Sequence, residues 1–283
     1  MNNAIEIKGL TKRYEDFTLD HLDLSLPMGC VMGLAGENGA GKSTTIRCIL
    51  RATTWDEGTI SVLGRDNREN FRQTREDIGV VLDTVGFPTM LTAREVGQML
   101  KNTYQSWDNG AYTTLLKRFD LPENKKFGEF SRGMRMKLGI AAAMAHHPRL
   151  LILDEATSGL DPVVRDEVVD MLYEYTREED RSILVSSHIL SDLEKLCDYM
   201  AFLKKGKLLL CREKDELLGE YVRVQCSREE LALFEPGKIL HQRSSAYGAQ
   251  VICSREALPR GMTGGPIDME DLFIAMMKGG ESK

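Results

Sequence analysis

A glycine-rich segment directly after an apolar run is the feature that most constrains how this chain can fold. Residues 36–44 read Gly-Glu-Asn-Gly-Ala-Gly-Lys-Ser-Thr and fit the pattern G-x-x-x-x-G-K-[ST]. The run Val31 to Ala35 before them predicts a strand, and Thr45 to Arg51 after them is compatible with a helix. A chance match in a chain of this length has a probability on the order of one per cent. The segment therefore predicts a nucleotide-binding loop between a strand and a helix.

The residue types in this loop suit contact with phosphate. Glycines allow backbone N–H groups to turn inward around phosphate oxygens, and the N-terminus of the following helix adds positive potential. Lys42 offers a mobile charge to the outer phosphates, and the Ser43 hydroxyl can ligate Mg²⁺. We expect the other loop contacts to the nucleotide to come from Gly36, Asn38, Gly39, Ala40, Gly41 and Thr44.

Unbroken apolar runs of strand length recur along the chain. They are Val31 to Ala35, Ile78 to Leu82, Leu150 to Leu153, Ile183 to Ser186 and Met200 to Leu203. Such runs are typical of strands covered on both faces, and helix-like stretches lie between several of them. We therefore predict the α/β class: a P-loop NTPase core with a mostly parallel sheet.

Three regions are predicted to surround this core. Alternating or turn-bounded segments favour a peripheral antiparallel sheet, namely Ile5 to Lys8, Leu19 to Leu26 and Thr59 to Leu63. Apolar spacings of three and four predict an inserted helical subdomain at about residues 84–147. We place the nucleotide-binding domain at residues 1–218 and a small α+β C-terminal extension at residues 219–283. The extension is predicted from Tyr221 to Cys226, Gln250 to Cys253 and a last helix, Met269 to Lys278.

Polar side chains follow two of the core strands. Asp154 and Glu155 end one buried run, and His188 follows another. Ligand sites of open α/β sheets lie at the carboxyl ends of the strands. There Asp154 would hold Mg²⁺ through its water, Glu155 would polarise the water that attacks the γ-phosphate, and His188 could contact that phosphate. The alternatives are a solvated strand end for the acids and a structural or capping role for the histidine.

A third element, Phe130-Ser131-Arg132-Gly133-Met134, lies between the two nucleotide motifs. By itself, Ser131 is also explained as an N-cap of the helix that follows. In order with the other motifs, the segment resembles the Leu-Ser-Gly-Gly-Gln signature of the ATP-binding cassette (ABC) family, in which it faces the γ-phosphate bound by a partner subunit. Ser131 and Gly133 match that signature, whereas Phe130, Arg132 and Met134 depart from it. The form looks like the subgroup of bacterial ABC-2 type exporters.

The resemblance implies further site residues. Tyr14 matches the aromatic residue that stacks on adenine, His188 matches the switch histidine, and Ser158 to Asp161 matches the loop through which two ATPase subunits communicate. One departure concerns the metal. Asp83 stands where the family has a glutamine that touches Mg²⁺ and the attacking water, so it is expected to be an altered metal ligand that adds negative charge.

The resemblance also implies a function and partners. It implies a subunit that binds and hydrolyses ATP with Mg²⁺ and powers a separate transmembrane permease, which exports peptides, antibiotics or lipids. Two such subunits, identical or related, close head to tail around two ATP molecules. The implied location is the cytoplasmic face of the membrane, held there peripherally by the permease, with Asp83 to Glu95 as the contact surface. A soluble ABC ATPase without a membrane partner and a P-loop kinase are the alternatives.

Composition agrees with these expectations. The chain has 37 basic and 43 acidic residues, so it has no excess positive charge for a nucleic-acid backbone, and we expect no nucleic-acid partner. No apolar run approaches the roughly 18 residues of a membrane span, so a membrane role would need another chain. The six cysteines lack Cys-x-x-Cys spacing and are typical of reduced thiols in the cytoplasm.

Overall fold

A computed structural model describes residues 2–178, 180–235, 237–245 and 248–279. The chain divides into two compact units, Met1–Cys211 and Arg212–Lys283. The division therefore comes seven residues before the predicted end of the first domain at residue 218. The reason is the helix Lys214–Glu220, whose Leu217 is buried and which packs against the strand that follows it. The assignment of nucleotide binding to residues 1–218 stays a prediction.

The first unit combines strands and helices in alternation. Its strands are β1 (Asn3–Arg13), β2 (Thr18–Pro27), β3 (Val31–Gly36), β4 (Glu57–Val62), β5 (Arg65–Asp66), β6 (Ile78–Val81), β7 (Leu150–Asp154), β8 (Ser182–Ser187), β9 (Tyr199–Lys204) and β10 (Lys207–Glu213). Its helices are α1 (Lys42–Ile49), α2 (Asn67–Thr74), α3 (Ala93–Lys101), α4 (Asn109–Arg118), α5 (Arg132–Met144), α6 (Pro162–Tyr175) and α7 (Leu190–Leu196). Short 3₁₀ turns occur at Arg75–Asp77 and Phe127–Glu129.

The core sheet has the strand order β10-β9-β3-β8-β7-β6. The pairs β9–β3, β3–β8, β8–β7 and β7–β6 are parallel. Every residue of β3, β7 and β8 is buried, as expected for strands covered on both faces. A second sheet, in the order β2-β1-β4-β5, is antiparallel. The predicted α/β class, with its parallel core and peripheral antiparallel sheet, is confirmed.

Helices α3, α4 and α5 occupy the region predicted to be helical. Side chains cap each of them at the N-terminus: Thr92 with Glu95 in a capping box, Asp108, and Ser131. Helix α5 packs against β6 and buries most of its second half. This region therefore rests on the edge of the core sheet through α5. Among the described residues, no helix has both the length and the apolar character to cross a bilayer.

A buried histidine just after α5 couples stability to pH. The His146 ring stacks on Tyr104 with centroids 4.0 Å apart, and its Nε2 donates to the Ile78 carbonyl at 3.2 Å. Burial lowers the pKa of His146, although the bond to Ile78 opposes the shift. The unfolded chain therefore takes up a proton near pH 6.5 while the folded chain does not. Folding stability is complete above that pH and falls below it, by at most about 1.4 kcal/mol per pH unit.

We expect His146→Gln to reduce the decrease in the free energy of unfolding between pH 6.5 and pH 5, even if the variant is less stable than the wild type at pH 8. Urea unfolding at pH 8, 6.5 and 5 measures it. The matched control is His147→Gln, because His147 is half exposed and pairs with Asp108 at 3.2 Å. An equal slope in the His146 variant and the wild type would contradict the assignment.

The second unit is a three-stranded antiparallel sheet with helices. Its elements are α8 (Lys214–Glu220), β11 (Tyr221–Cys226), α9 (Arg228–Leu231), β12 (Ile239–Ser245), β13 (Gly248–Ser254), a 3₁₀ turn (Arg255–Ala257) and α10 (Met269–Gly279), with the strand order β11-β13-β12. Strand β12 was not predicted, because its polar residues give no apolar run. Helix α10 packs against β12 within the unit.

Candidate functional site

The phosphate loop leaves β3 and enters α1 with a backbone that glycine makes possible. Gly39 and Gly41 have φ angles of +80° and +115°, at which a residue with a side chain would be strained. A Cβ at Gly36 would lie 2.7 Å from the Leu203 carbonyl oxygen. Gly41 is also the N-cap of α1 and supplies no side-chain acceptor. The first N–H groups of α1 therefore keep their capacity to bind an anion.

Lys42 lies in this loop with its ammonium group directed at the backbone and at an acid. Its side chain is 6 % exposed. Nζ donates to the carbonyl oxygens of Gly36 at 2.7 Å and Glu37 at 3.4 Å, and lies 3.6 Å from Glu155 Oε1. The loop thus holds a buried cation within reach of the predicted base.

The two acids at the end of β7 differ in environment. Asp154 is 5 % exposed and accepts a hydrogen bond from Ser186 Oγ at 2.5 Å, so it is not a solvated strand end. Glu155 turns out of the strand with a left-handed φ of +54°. Its N–H donates to the Ser186 carbonyl at 3.1 Å, which fixes the turn. Strand β8 therefore positions both acids.

His188, two residues after Ser186, completes this group. Its Nδ1 lies 2.6 Å from Glu155 Oε2, while Lys42 approaches the other carboxylate oxygen. The His188 side chain is about half exposed, with a relative exposure of 53 %. The parallel ends of β3, β7 and β8 thus bring Lys42, Glu155 and His188 together, as the sequence predicted.

A cavity of about 730 Å³ lies over these groups. It is lined by Asp16, Phe17, Glu37, Asn38, Gly39, Ala40, Gly41, Lys42, Ser43, Thr44, Asp83, Arg132, Glu155, Ser158 and His188. Most of the predicted site residues therefore share one cavity. Gly36 and Asp154 do not line the cavity but adjoin residues that do: the Gly36 carbonyl accepts a hydrogen bond from Lys42, and Asp154 precedes Glu155 in the chain.

Ser131 and Gly133 do not line this cavity. They line another one, of about 360 Å³, with Gly159, Leu160 and Asp161. The Ser131 hydroxyl accepts a hydrogen bond from the Met134 N–H at 3.2 Å, which is the plain capping role. One chain therefore presents the phosphate loop and the Ser131 segment as two surfaces.

Four lining residues were not predicted as site residues: Asp16, Phe17, Glu37 and Arg132. Tyr14, predicted to stack on adenine, is 47 % exposed and does not line the cavity; its ring lies 6.5 Å from that of Phe17. Phe17 is an aromatic residue three positions further on, a signal that the sequence contains. Arg132 was identified only as a departure from the signature, and its neighbours along the chain do not indicate that it lines the cavity of the phosphate loop.

The donor set suits a magnesium nucleotide. Ser43 and Asp83 line the cavity and Asp154 lies beside it, and their side chains carry oxygen atoms, the kind of ligand that Mg²⁺ prefers. Over the described ranges, no group of three or more His, Cys, Asp or Glu side chains is spaced to ligate a metal. Mg²⁺ commonly binds through one or two carboxylates together with substrate phosphates, so the arrangement fits a metal that arrives with its nucleotide.

Fold and site together define a nucleotide-binding domain of the phosphate-loop class. The family described as ABC transporter matches residues 19–158. The chain is 38 % identical over 212 residues to the bacitracin transport ATP-binding protein BcrA of Bacillus licheniformis, covering 74 % of this chain and 69 % of that protein. It is 30 % identical to the ABC transporter ATP-binding protein YtrB of Bacillus subtilis, covering 97 % of this chain and 98 % of that protein. The chain belongs to the ABC transporter family and is an ATP-binding subunit.

A solved structure agrees with this assignment. The ATP-binding subunit of an ABC transporter superposes with a TM-score of 0.68 at 28 % identity, covering 76 % of this chain and 91 % of that one. The family match to residues 19–158 includes the phosphate loop and the acidic pair Asp154 and Glu155.

The adenine contact leads to a prediction. We expect Tyr14→Ala to weaken ATP binding about 5- to 150-fold, because a ring stacked on a base contributes roughly 1–3 kcal/mol. Tyr14→Phe should bind like the wild type. Fluorescence titration with a nucleotide analogue measures this, and equal affinity of the alanine variant would assign the base to another ring, with Phe17→Ala as the next variant.

Proposed function

We propose that this chain hydrolyses MgATP to power a separate transmembrane permease. The observation that carries the proposal is the position of Glu155, whose two carboxylate oxygens face Lys42 at 3.6 Å and His188 at 2.6 Å beside the phosphate loop. A base between a phosphate-binding cation and a second polar group suits attack of water on a terminal phosphate.

The roles of the side chains follow from their contacts. Lys42 moves from the Gly36 carbonyl and Glu155 to the phosphates, which releases Glu155 to accept a proton from water. His188 holds the other Glu155 oxygen and so orients the carboxylate. Ser43, Asp83 and Asp154 are the proposed ligands of Mg²⁺, which when bound neutralises charge on the phosphates. The backbone N–H groups from Gly39 to Thr44 bind the phosphate oxygens.

A second ATPase chain completes each site in this proposal. Ser131 and Gly133 line a cavity apart from the phosphate loop, so they are available to a nucleotide held by another chain. That chain is a second copy or a related subunit. The loop Ser158 to Asp161 contributes to both cavities and links the two sites.

The proposed contact surface for the permease is Asp83 to Glu95. Its Met90 is 68 % exposed, and Leu82, just before it, is 40 % exposed. Residues 84–87 also form a wall of an apolar cavity of about 220 Å³ against α5 and α3. Exposed apolar side chains beside an apolar cavity favour contact with another protein.

We expect Met90→Asp to reduce permease-dependent transport about 10-fold or more, because a charge would be buried without a partner at the interface. ATP hydrolysis by the isolated chain should be unchanged. Tyr173→Asp, at a residue that is 56 % exposed on α6, is the matched control and should leave transport intact. Equal transport by the Met90 variant and the wild type would place the permease elsewhere.

The cargo class is proposed as peptides, antibiotics or lipids, moved outward. A relative named for bacitracin transport supports this class. In this proposal the chain acts at the cytoplasmic face of the membrane and is held there by its permease.

The test of the proposed function is to reconstitute the chain with the membrane protein encoded next to it. We expect binding to vesicles only when that protein is present, and ATP hydrolysis that rises on assembly. ATP hydrolysis that is indifferent to the membrane protein would favour the soluble ABC alternative, and no hydrolysis in any setting would remove the proposal.

A further inference from the structure

The hairpin that joins β1 to β2 carries an aromatic pair on one face. Lys12 pairs with Leu19, and beyond them the Tyr14 N–H donates to the Phe17 carbonyl at 2.8 Å, which closes the turn. Opposed residues of an antiparallel pair share a face, and so does every second residue along a strand. These four side chains therefore lie on one face of the hairpin, and Arg13, between Lys12 and Tyr14, lies on the other.

This face of the hairpin lies against the phosphate loop. A Cβ added at Gly41 would come within 3.0 Å of Leu19 Cδ1 and 3.1 Å of Phe17 Cζ. Tyr14 lies beside Phe17, with the ring centroids 6.5 Å apart, and is 47 % exposed. Part of the Tyr14 ring is thus open to a ligand next to the loop, where the base of a nucleotide would extend from phosphates held by the loop.

Lys12 contacts this ring from a fixed position. Its Nζ lies 5.4 Å from the centroid of the Tyr14 ring, within the range of a cation–π contact. The Lys12 side chain is 14 % exposed, and an ammonium group withdrawn from water attracts a ring more strongly than an exposed one. Nζ also lies 3.7 Å from Oδ1 of Asp56, whose Oδ2 accepts a hydrogen bond from the Arg13 N–H at 2.7 Å. The ammonium group is therefore held between a fixed carboxylate and the ring.

We propose that Lys12 is a positioning residue for nucleotide binding, whose ammonium group holds the Tyr14 ring in the orientation that stacks on the base of ATP. This role rests on the proposed function, with Tyr14 as the contact to the base. Because Lys12 acts through the ring, its contribution depends on the base. A nucleotide gains affinity from Lys12, whereas a polyphosphate without a base does not.

Two other roles for Lys12 would give different results. If its ammonium group attracted the phosphates directly, its loss would weaken a nucleotide and a bare polyphosphate alike. If it served only to pair with Asp56, its loss would act on the fold at the end of β1, whether or not residue 14 is aromatic.

The test is calorimetry on the full chain with two magnesium complexes: β,γ-imido-ATP, and tripolyphosphate, which has three phosphates and no base. Lys12→Gln is expected to weaken imido-ATP about 3- to 10-fold, the range of a cation–π contact, and to leave tripolyphosphate within about twofold of the wild type. Lys12→Arg keeps a cation for the ring and should retain most of the affinity. Arg13→Gln is the matched control, because this neighbouring cation pairs with Glu57 on the other face; it should change neither ligand.

A double-mutant cycle shows whether the effect passes through the ring. In a chain with Tyr14→Leu, which keeps apolar bulk without a π system, Lys12→Gln should weaken imido-ATP by less than about twofold further. Unchanged imido-ATP affinity in Lys12→Gln, an equal loss for both ligands, or an equal loss with and without the ring would overturn the proposal. A wild-type chain that binds neither ligand would instead remove the proposed function. Lys12→Leu, which also lacks the charge, replaces the glutamine variant if that variant does not fold.

Discussion

Replacing Glu155 with glutamine is expected to lower ATP turnover about 10²- to 10⁴-fold, the contribution of a positioned general base, while ATP binding persists. Glutamine has the shape of glutamate, so the left-handed backbone at φ +54° and the N–H bond to the Ser186 carbonyl are retained. The amide cannot take a proton from water. It also removes a negative charge 3.6 Å from Lys42, which favours bound phosphate. The variant should accumulate an ATP-bound pair of chains.

Single-turnover phosphate release and gel filtration in the presence of ATP measure the two effects. Glu37→Gln is the matched control: this carboxylate lines the same cavity, but only the backbone carbonyl of Glu37 contacts Lys42. The control should turn over like the wild type. Undiminished turnover in the Glu155 variant would show that another group activates the water.

Replacing Lys42 with methionine is expected to weaken ATP binding about 10- to 100-fold, since a hydrogen bond to a charged group contributes roughly 1.5–3 kcal/mol. Turnover should fall by a further 10²- to 10³-fold or so, because the cation acts on charge that grows at the phosphate during reaction. Methionine fills a similar volume at a side chain that is only 6 % exposed, so the loop should keep its shape.

Binding by calorimetry and turnover under saturating ATP separate these two losses. Lys207→Met, at a side chain that is 68 % exposed and pairs with Asp20, removes the same charge outside the cavity and should change neither. A thermal midpoint close to that of the wild type would show that the Lys42 variant folds. Normal turnover by that variant would remove Lys42 from the mechanism.

The sequence predicted the parts of the fold that follow from burial. The apolar run Leu150 to Leu153 forms β7, which is one residue longer. The predicted strand Tyr221 to Cys226 has the same first and last residues as β11. The unbroken apolar run is typical of a strand covered on both faces and defines β7, whereas the limits of β11 follow from the alternation of buried Val222, Val224 and Cys226 with more exposed residues. Helix α1 begins at Lys42, three residues before the predicted start. Its N-cap is Gly41, which has no capping side chain, so the sequence carries no signal for the start of the helix.

The parts that could not be predicted depend on contacts between distant residues. Strand β12 pairs with β13 through its backbone, and its polar side chains give no period that would separate it from a loop. Arg132 and Gly159 are 27 positions apart, and only the packing of α5 beside the loop after β7 brings the guanidinium to the cavity. Motifs predict which residue types bind a nucleotide, but they do not predict which side chains from neighbouring loops join them.

The separation of the phosphate loop and the Ser131 segment into two cavities bears on how the protein responds to its own abundance. If each ATP needs the phosphate-loop cavity of one chain and the Ser131 cavity of another, a dilute chain does not hydrolyse ATP, and its specific activity rises with its concentration. A membrane subunit that holds two copies side by side replaces the bulk concentration with an effective one on the order of millimolar. Assembly, rather than expression level, then switches the ATPase on.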